Sequence, residues 1–73
     1  MEMRLKELRK ENGYTQEFVA KYLNVKQNTY SQYESGVNQI PILCLCSLAE
    51  LYDTSVDYIL HLTDEETPYP RKK

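Results

Sequence analysis

The chain has 73 residues, of which 41% are hydrophobic and 27% are charged, a composition that fits one small globular domain. No apolar run approaches the roughly 20 residues that span a membrane, and the charged N-terminus resembles neither a signal peptide nor a transit peptide, so we expect a cytoplasmic protein. The net charge of −2 at pH 7 excludes a strongly basic nucleic-acid-binding domain.

The charges are divided unevenly between the two halves of the chain. Residues 1–36 carry six Lys/Arg and five Asp/Glu, a balance of +1, whereas residues 37–73 carry three Lys/Arg and six Asp/Glu, a balance of −3. The first half is therefore the one that can approach a polyanion. Because few phosphates could be neutralised, any non-specific binding to nucleic acid should be weak and sensitive to salt.

The first predicted helix runs from Arg4 to Asn12, with Leu5 and Leu8 on one face and charged side chains on the other. Gly13 follows it and suits the left-handed backbone conformation that often ends a helix. The pattern predicts a short amphipathic helix that packs through its leucine face.

The second predicted helix runs from Gln16 to Leu23. Thr15 is a good N-cap because its hydroxyl can accept a hydrogen bond from the first turn. Val19 and Leu23 form the stripe that we expect to be buried, and the small side chain of Ala20 would let another helix approach closely. Asn24, a residue type that tolerates a positive φ, begins a short turn into the next helix.

The third predicted helix, Lys26 to Gly36, has the sequence KQNTYSQYESG and separates into two faces when wound at 100° per residue. Tyr30 and Tyr33 share one face, which can be buried. The opposite face holds only uncharged hydrogen-bonding side chains, namely Gln27, Asn28, Ser31 and Gln32. Side-chain amides donate and accept at once, as recognition of an adenine edge requires, although many surface helices have a polar face without such a role.

Two further helices complete the pattern. Pro41 suits the start of a fourth helix that reaches about Tyr52, and its core face is Leu45, Leu48, Ala49 and Tyr52. Ser55 is a plausible cap for a fifth helix that ends near Leu62. The sequence therefore predicts an all-α, five-helix domain over residues 1–63, with a helix-turn-helix at helices two and three, and a flexible tail over residues 64–73.

No arrangement of residues in the sequence indicates catalysis. Cys44 and Cys46 are the only cysteines, and on a helix they point about 200° apart, so they cannot bridge each other. His61 is the only histidine. Without a nucleophile–base pair, a metal-ligand spacing or a glycine-rich phosphate loop, we expect no enzyme activity, no metal and no cofactor.

The segment TQEFVAKYLNVKQNTYSQYESG resembles the phage repressor and Cro type of helix-turn-helix proteins, the XRE family of small prokaryotic regulators. The resemblance covers roughly residues 3–62 and also includes LRKENGYTQEFVA, the IPI that enters helix four and the SVDYIL of helix five. It implies a compact five-helix domain that binds operator DNA as a homodimer, with the third helix in the major groove.

Carried over by position, the resemblance also implies roles for individual residues. Gln16 would anchor a phosphate, and the base readers would be Gln27, Asn28 and Gln32. Other DNA contacts would come from Lys26, Thr29 and Ser31 at the edge of the interface and from Asn38 and Gln39 in the loop after helix three. The candidate dimer interface is helix five, with Ile59, Leu60 and Leu62, together with that loop. Arg9 and Glu34 stand where the family often has a structural ion pair.

The sequence departs from the family pattern at Phe18 and Tyr22, which occupy helix-two positions that are normally polar. They form either an ordinary surface patch or a contact, with Tyr69 of the tail or with a partner protein. Our main interpretation is a sequence-specific DNA-binding transcriptional regulator, a repressor that occupies a palindromic operator as a homodimer. The alternative, supported by this aromatic pair and by the net acidity, is a helix-turn-helix protein-interaction module such as an antitoxin or anti-repressor.

Overall fold

The computed structural model describes residues 3–68 and Pro70. The helices within that range are α1 (Leu5–Glu11), α2 (Gln16–Leu23), α3 (Gln27–Ser35), α4 (Ile42–Leu51) and α5 (Val56–Ile59). No strand occurs in the described part of the chain, and the predicted all-α fold of five helices is confirmed. None of the described helices has the length and apolar character that crossing a membrane would need.

All five helices contribute to a single core. Its buried hydrophobic side chains are Leu5, Leu8, Val19, Ala20, Tyr30, Tyr33, Ile40, Leu45, Leu48, Ala49, Tyr52 and Ile59. The apolar faces predicted for α1 and α4 are among them, as are both tyrosines of α3, whose rings meet edge to face with centroids 6.5 Å apart. Full burial of a large apolar side chain stabilises the fold by about 1.5–3 kcal/mol, so these residues fix how α3 is oriented.

The predicted caps of α2 and α5 are present. The Thr15 hydroxyl accepts a hydrogen bond from the backbone N–H of Phe18 at 3.0 Å, and the Ser55 hydroxyl accepts one from the N–H of Tyr58 at 3.0 Å. Each bond satisfies a first-turn N–H that has no partner within its helix. These caps fix where α2 and α5 begin.

The turn between α2 and α3 is a left-handed helix cap. Asn24 has φ 60° and ψ 43°, and Gly13 (φ 71°) takes the same conformation after α1. The N–H of Val25 donates to the carbonyl of Ala20 at 2.9 Å, and the N–H of Asn24 donates to that of Lys21 at 3.0 Å, which is the Schellman pattern. Three residues separate α2 from α3, and the turn lets α3 pack against α2, in which Ala20 is buried.

The prediction for helix five is wrong in its length. α5 is a single turn, Val56–Ile59, because His61 adopts a left-handed φ of 63° and the N–H of Leu62 donates back to the carbonyl of Asp57 at 2.9 Å. Leu60 and Leu62 therefore follow the helix and do not lie on its face.

The two ends of the domain meet at Arg4. Its guanidinium donates to the carbonyl of Tyr58 at 2.9 Å and to that of Thr63 at 3.4 Å, pairs with Asp64 at 3.0 Å and stacks over the Tyr58 ring at 4.1 Å. The buried Thr54 hydroxyl also donates to the carbonyl of Glu66 at 2.6 Å. These contacts attach residues 63–66 to the helices; a flexible tail up to residue 73 stays a prediction.

Candidate functional site

The uncharged face of α3 points away from the core. Gln27, Asn28 and Gln32 are exposed, whereas Tyr30 on the other side is fully buried. Neither Gln27 nor Asn28 bonds through its side chain to any other group in the part of the chain that the structure describes. Both amides are therefore free to donate and to accept. Thr29 and Ser31 are half-buried at the edges of the face.

The N-terminus of α3 has no negative charge. Lys26 precedes the helix with an extended backbone (φ −72°, ψ 150°), and its side chain makes no capping hydrogen bond. The first turn of α3 contains no acidic residue. The first N–H groups of a helix lack partners within it, and they carry the positive end of the helix dipole. With the exposed ammonium of Lys26 beside them, they form a favourable environment for an anion.

Glu34, near the end of α3, connects three helices through its carboxylate. Arg9 of α1 donates two hydrogen bonds, from Nε to Oε2 at 2.7 Å and from Nη2 to Oε1 at 3.3 Å. The Tyr30 hydroxyl donates to Oε2 at 2.6 Å, and Gln16 Nε2 of α2 donates to Oε1 at 3.1 Å. The Glu34 side chain is only 5% exposed, so the predicted Arg9–Glu34 pair is a buried structural interaction.

These contacts shift the pKa values of the groups involved. Burial by itself raises the pKa of the Glu34 carboxyl, but the hydrogen bonds from Arg9, Tyr30 and Gln16 outweigh it, and that pKa lies below its ordinary value of 4.5. The hydrogen bond to Glu34 raises the pKa of Arg9. Burial, with the bond to Glu34, raises the pKa of Tyr30 above its ordinary value, and burial raises the pKa of Tyr52 to about 12. The ion pair therefore stays charged across the physiological pH range.

Gln16, the predicted phosphate anchor, is half-buried at the start of α2. Because a carboxylate can only accept, the bond to Glu34 requires Nε2 of Gln16 to face it. Glu34 thus fixes the orientation of the Gln16 side chain. The sequence did not indicate this contact, since the two residues are 18 positions apart and both side chains are long.

The loop after α3 contacts the exposed uncharged face of that helix. Asn38 and Gln39 are both exposed. The Asn38 side chain donates from Nδ2 to Oε1 of Gln32, and its backbone N–H donates to the Gln32 carbonyl at 3.3 Å. One predicted base reader and one predicted backbone contact are therefore linked to each other, which residue types and spacing did not indicate.

The residues predicted for the dimer interface differ in exposure. Ile59 has no exposed surface, so it belongs to the core and cannot itself touch a partner; Leu62 is 65% exposed. Leu60 is half-buried and helps to line a groove of about 380 Å³. The other residues that line this groove are Met3, Gly36, Asn38, Gln39, Ile40 and Leu45.

A row of aromatic rings lies on another part of the surface. Phe18 and Tyr22 are 45% and 43% exposed. Phe18 packs on Tyr14 with centroids 4.5 Å apart, and Tyr14 stacks on the buried ring of Tyr52 at 6.2 Å. The Tyr22 hydroxyl donates to the carbonyl of Ser47 at 3.1 Å. The suggested contact with Tyr69 lies outside the described residues.

The two cysteines lie on α4. Cys44, half-buried, and Cys46, exposed, are free thiols. Among the described residues, no group of three or more His, Cys, Asp or Glu side chains is placed to hold a metal ion.

Most of the chain, including α2 and α3, matches a known family. The helix-turn-helix family model matches residues 5–59, which include all five helices. The chain belongs to the Cro/C1-type helix-turn-helix family. The family resemblance predicted from the sequence is confirmed.

Three curated proteins of Bacillus subtilis (strain 168) are similar to this Cro/C1-type chain. The uncharacterized HTH-type transcriptional regulator YobD is 41% identical over 70 residues, which is 96% of this chain and 62% of YobD. The HTH-type transcriptional regulator AnsR is 34% identical over 68 residues (93% of this chain, 59% of AnsR). The HTH-type transcriptional regulator ImmR is 42% identical over 57 residues (78% of this chain, 45% of ImmR).

The Cro/C1-type chain thus spans about half to three fifths of the length of these relatives. No solved structure matches it significantly.

Proposed function

We propose that this protein is a sequence-specific DNA-binding transcriptional regulator, a repressor that occupies a palindromic operator as a homodimer. The observation that carries the proposal is the exposed, uncharged amide face of α3, held outward by the burial of Tyr30 and Tyr33 on the other side. The regulators to which the chain is similar support the same function. Such a protein acts where the chromosome is, in the cytoplasm.

Base recognition is assigned to the free amides of α3. Gln27 and Asn28 can each accept from adenine N6 and donate to adenine N7 in the major groove, and a good bidentate contact contributes about 1–3 kcal/mol of discrimination. Gln32 contacts a further base, and Thr29 and Ser31 lie at the margin of the contact.

Phosphate groups fix the position of the domain on the duplex. The N-terminus of α3 with Lys26 attracts one phosphate through its free N–H groups and positive charge. Gln16 contacts a second with the N–H that Glu34 does not use, and Asn38 and Gln39 meet the backbone from the loop. Because few of these groups are charged, base contacts carry a large share of the affinity.

Dimerisation is assigned to Leu62 and Leu60 together with the loop after α3. A dimer through this face would present two copies of α3 to half-sites one helical turn apart, about 34 Å. Occupancy of such an operator represses transcription by excluding other proteins from it.

Selection of bound sites from a random duplex pool, followed by gel shift, tests this function. We expect a two-fold symmetric, A·T-containing site for the native protein, and for Gln27→Ala a loss of base preference at one position per half-site with the fold retained by circular dichroism. Cys46→Ala, a neutral change at an exposed position of α4, is the matched control and should select the native site. Unchanged selectivity of Gln27→Ala would reject the assignment.

The exposed Phe18 and Tyr22 favour a second candidate function, a protein-interaction module such as an antitoxin or anti-repressor. Gel shifts on random duplexes at low and moderate salt separate the two. If the native protein binds no duplex at either salt concentration, the interaction module replaces the regulator as the preferred function.

A further inference from the structure

The proposed recognition helix, α3, and the loop that follows it are joined by two hydrogen bonds between the same two residues. The backbone N–H of Asn38 donates to the carbonyl of Gln32 at 3.3 Å, and Nδ2 of Asn38 donates to the side-chain Oε1 of Gln32. Both side chains are exposed on the proposed DNA-facing surface. The contact therefore involves the very amide that would meet a base.

This contact changes what Gln32 can offer to DNA. A glutamine amide has one acceptor oxygen and two N–H donors, and a bidentate contact to adenine needs both kinds of group, one for N6 and one for N7. With one of the two lone pairs of Oε1 engaged by Asn38 and both N–H donors of Gln32 without a described partner, the donors make up most of what this amide can offer to a base. Gln27 and Asn28 have no comparable partner among the described residues and keep both groups free.

Within α3, no acidic side chain is free to accept from the donors of Gln32. Glu34 is the only acidic residue in α3, and its carboxylate already accepts bonds from Arg9, Tyr30 and Gln16 in a nearly buried position. The donors of Gln32 make no hydrogen bond to a carboxylate among the described residues and are available to a base.

We infer that Asn38 is a positioning residue that sets the base preference of Gln32, so that Gln32 selects guanine at one position of each half-site. Guanine presents two neighbouring acceptors, N7 and O6, in the major groove, whereas adenine replaces O6 with an N–H donor that faces the donors of Gln32 unfavourably. The inference rests on the proposed function. It divides the recognition helix into adenine-reading amides at its start and a guanine-reading amide near its end.

The experiment compares site selection by the native protein and by Gln32→Ala, Asn38→Ala and Gln39→Ala. The position at which Gln32→Ala loses preference identifies the base that Gln32 contacts. We expect guanine there for the native protein. In Asn38→Ala the Gln32 amide regains its full acceptor capacity. The Kd for the guanine site divided by the Kd for the adenine site should therefore rise by about tenfold.

Gln39→Ala is the matched control because it removes a neighbouring loop amide that does not bond to α3. It should weaken binding to all sequences equally. In the double variant Gln32→Ala/Asn38→Ala, the preference at that position should equal that of Gln32→Ala alone. An adenine preference in the native protein, or an Asn38→Ala variant that behaves like Gln39→Ala, overturns the inference and leaves the proposed function intact.

A readout without DNA separates the remaining cases. In the free protein, the side-chain amide NMR signal of Asn38 should shift on Gln32→Ala and stay unchanged on Gln27→Ala. An Asn38 signal that ignores Gln32→Ala overturns the inference whatever the DNA result. If the signal responds but the native protein selects no sequence, the proposed function fails, and the base preference assigned to Gln32 fails with it.

Discussion

At the scale of single residues, the carboxylate of Glu34 has the largest number of described side-chain partners around the recognition helix. It neutralises the nearly buried guanidinium of Arg9 and binds Tyr30 and Gln16. Removing one partner of such a pair leaves the other charge buried without compensation, which costs more than removing both. Substitutions at this residue should therefore affect stability and the orientation of Gln16 together.

Glu34→Gln should lower the free energy of unfolding by about 3 kcal/mol at pH 7, because Arg9 stays charged and loses its counter-ion. In the native protein the pKa of Glu34 lies below 4.5, so its stabilisation is complete above that pH and is lost as the pH falls through the lower, folded-state pKa. The difference in the free energy of unfolding between the native protein and the variant should shrink below about pH 4. Urea unfolding from pH 7 to pH 3 measures this, and a gap that stays constant with pH contradicts it.

Two buried tyrosines allow a matched comparison. Tyr30→Phe removes a hydroxyl that donates to a carboxylate at 2.6 Å and should lower the free energy of unfolding by about 1.5–3 kcal/mol. The Tyr52 hydroxyl is buried close to that of Tyr30 but makes no hydrogen bond of normal geometry to a described residue, so Tyr52→Phe should cost much less stability than Tyr30→Phe. Thermal melts followed by circular dichroism compare the two, and equal losses would be inconsistent with these different environments.

At the scale of the elements, the α2–turn–α3 unit depends on the backbone of Asn24. Its left-handed conformation (φ 60°) places α3 directly after α2. The unit is held on one side by the core residues Ala20 and Tyr30 and on the other by Gln16 and Glu34. The angle between the two helices is thus set by contacts that lie beneath the exposed face of α3.

Asn24→Ala should destabilise the fold by about 1 kcal/mol, because a Cβ without a compensating polar group is strained in the left-handed region. Asn24→Gly should change stability by less than about half of that. Asn28→Ala is the control, since the same change at an exposed helical position should be neutral or slightly stabilising. A fall in Tm of about 4–8 °C for Asn24→Ala alone is expected; equal melting of the two alanine variants would argue against the turn's importance.

The features of the fold and of the candidate site that could be predicted from the sequence are those that depend on neighbouring residues. Thr15, Ser55 and Asn24 were identified because caps and left-handed turns depend on a residue and its immediate neighbours. The end of α5 was misplaced because apolar spacing continued past Ile59, while the left-handed backbone of His61 left no clear signal. The contacts of Gln16 with Glu34 and of Gln32 with Asn38 could not be predicted, since periodicity gives a face and not the partner of a long side chain.

At the scale of the whole molecule, the acidic residues of the second half of the chain lie outside α2 and α3, and Glu17 in the first turn of α2 is the exposed acid next to the proposed phosphate contact Gln16. The acidic residues of the second half lie in α4, in α5, in the turn between them and in the segment after them, whereas the exposed face of α3 has none. An overall charge of −2 therefore does not oppose the approach of DNA to α3 as strongly as it would if it were spread evenly. It does limit how much affinity phosphate neutralisation can supply.

Lys26→Ala should weaken operator binding about equally for all sequences and reduce the slope of log K against log salt by about 1 for each phosphate that the variant no longer neutralises. Gln27→Ala should do the reverse, changing base preference with little effect on the slope. Fluorescence anisotropy titrations from 50 to 200 mM salt, about the range in which phosphate contacts dominate, compare the two. A Lys26→Ala variant with altered selectivity and an unchanged slope would reverse the roles assigned to these residues.

The contacts of Arg4 make the folded chain nearly a closed ring, since they join residues 54 to 60 positions apart. Closing so long a loop on folding costs conformational entropy, which these few bonds must offset. A covalent tether between the neighbourhoods of Arg4 and Asp64 would restrict the unfolded chain, so that less entropy is lost on folding. A permuted protein could then start within an exposed turn elsewhere and still assemble the same five helices. A break placed in the loop at Asn38 would separate it from Gln32, so the tolerated positions for new ends would themselves outline the DNA-reading surface.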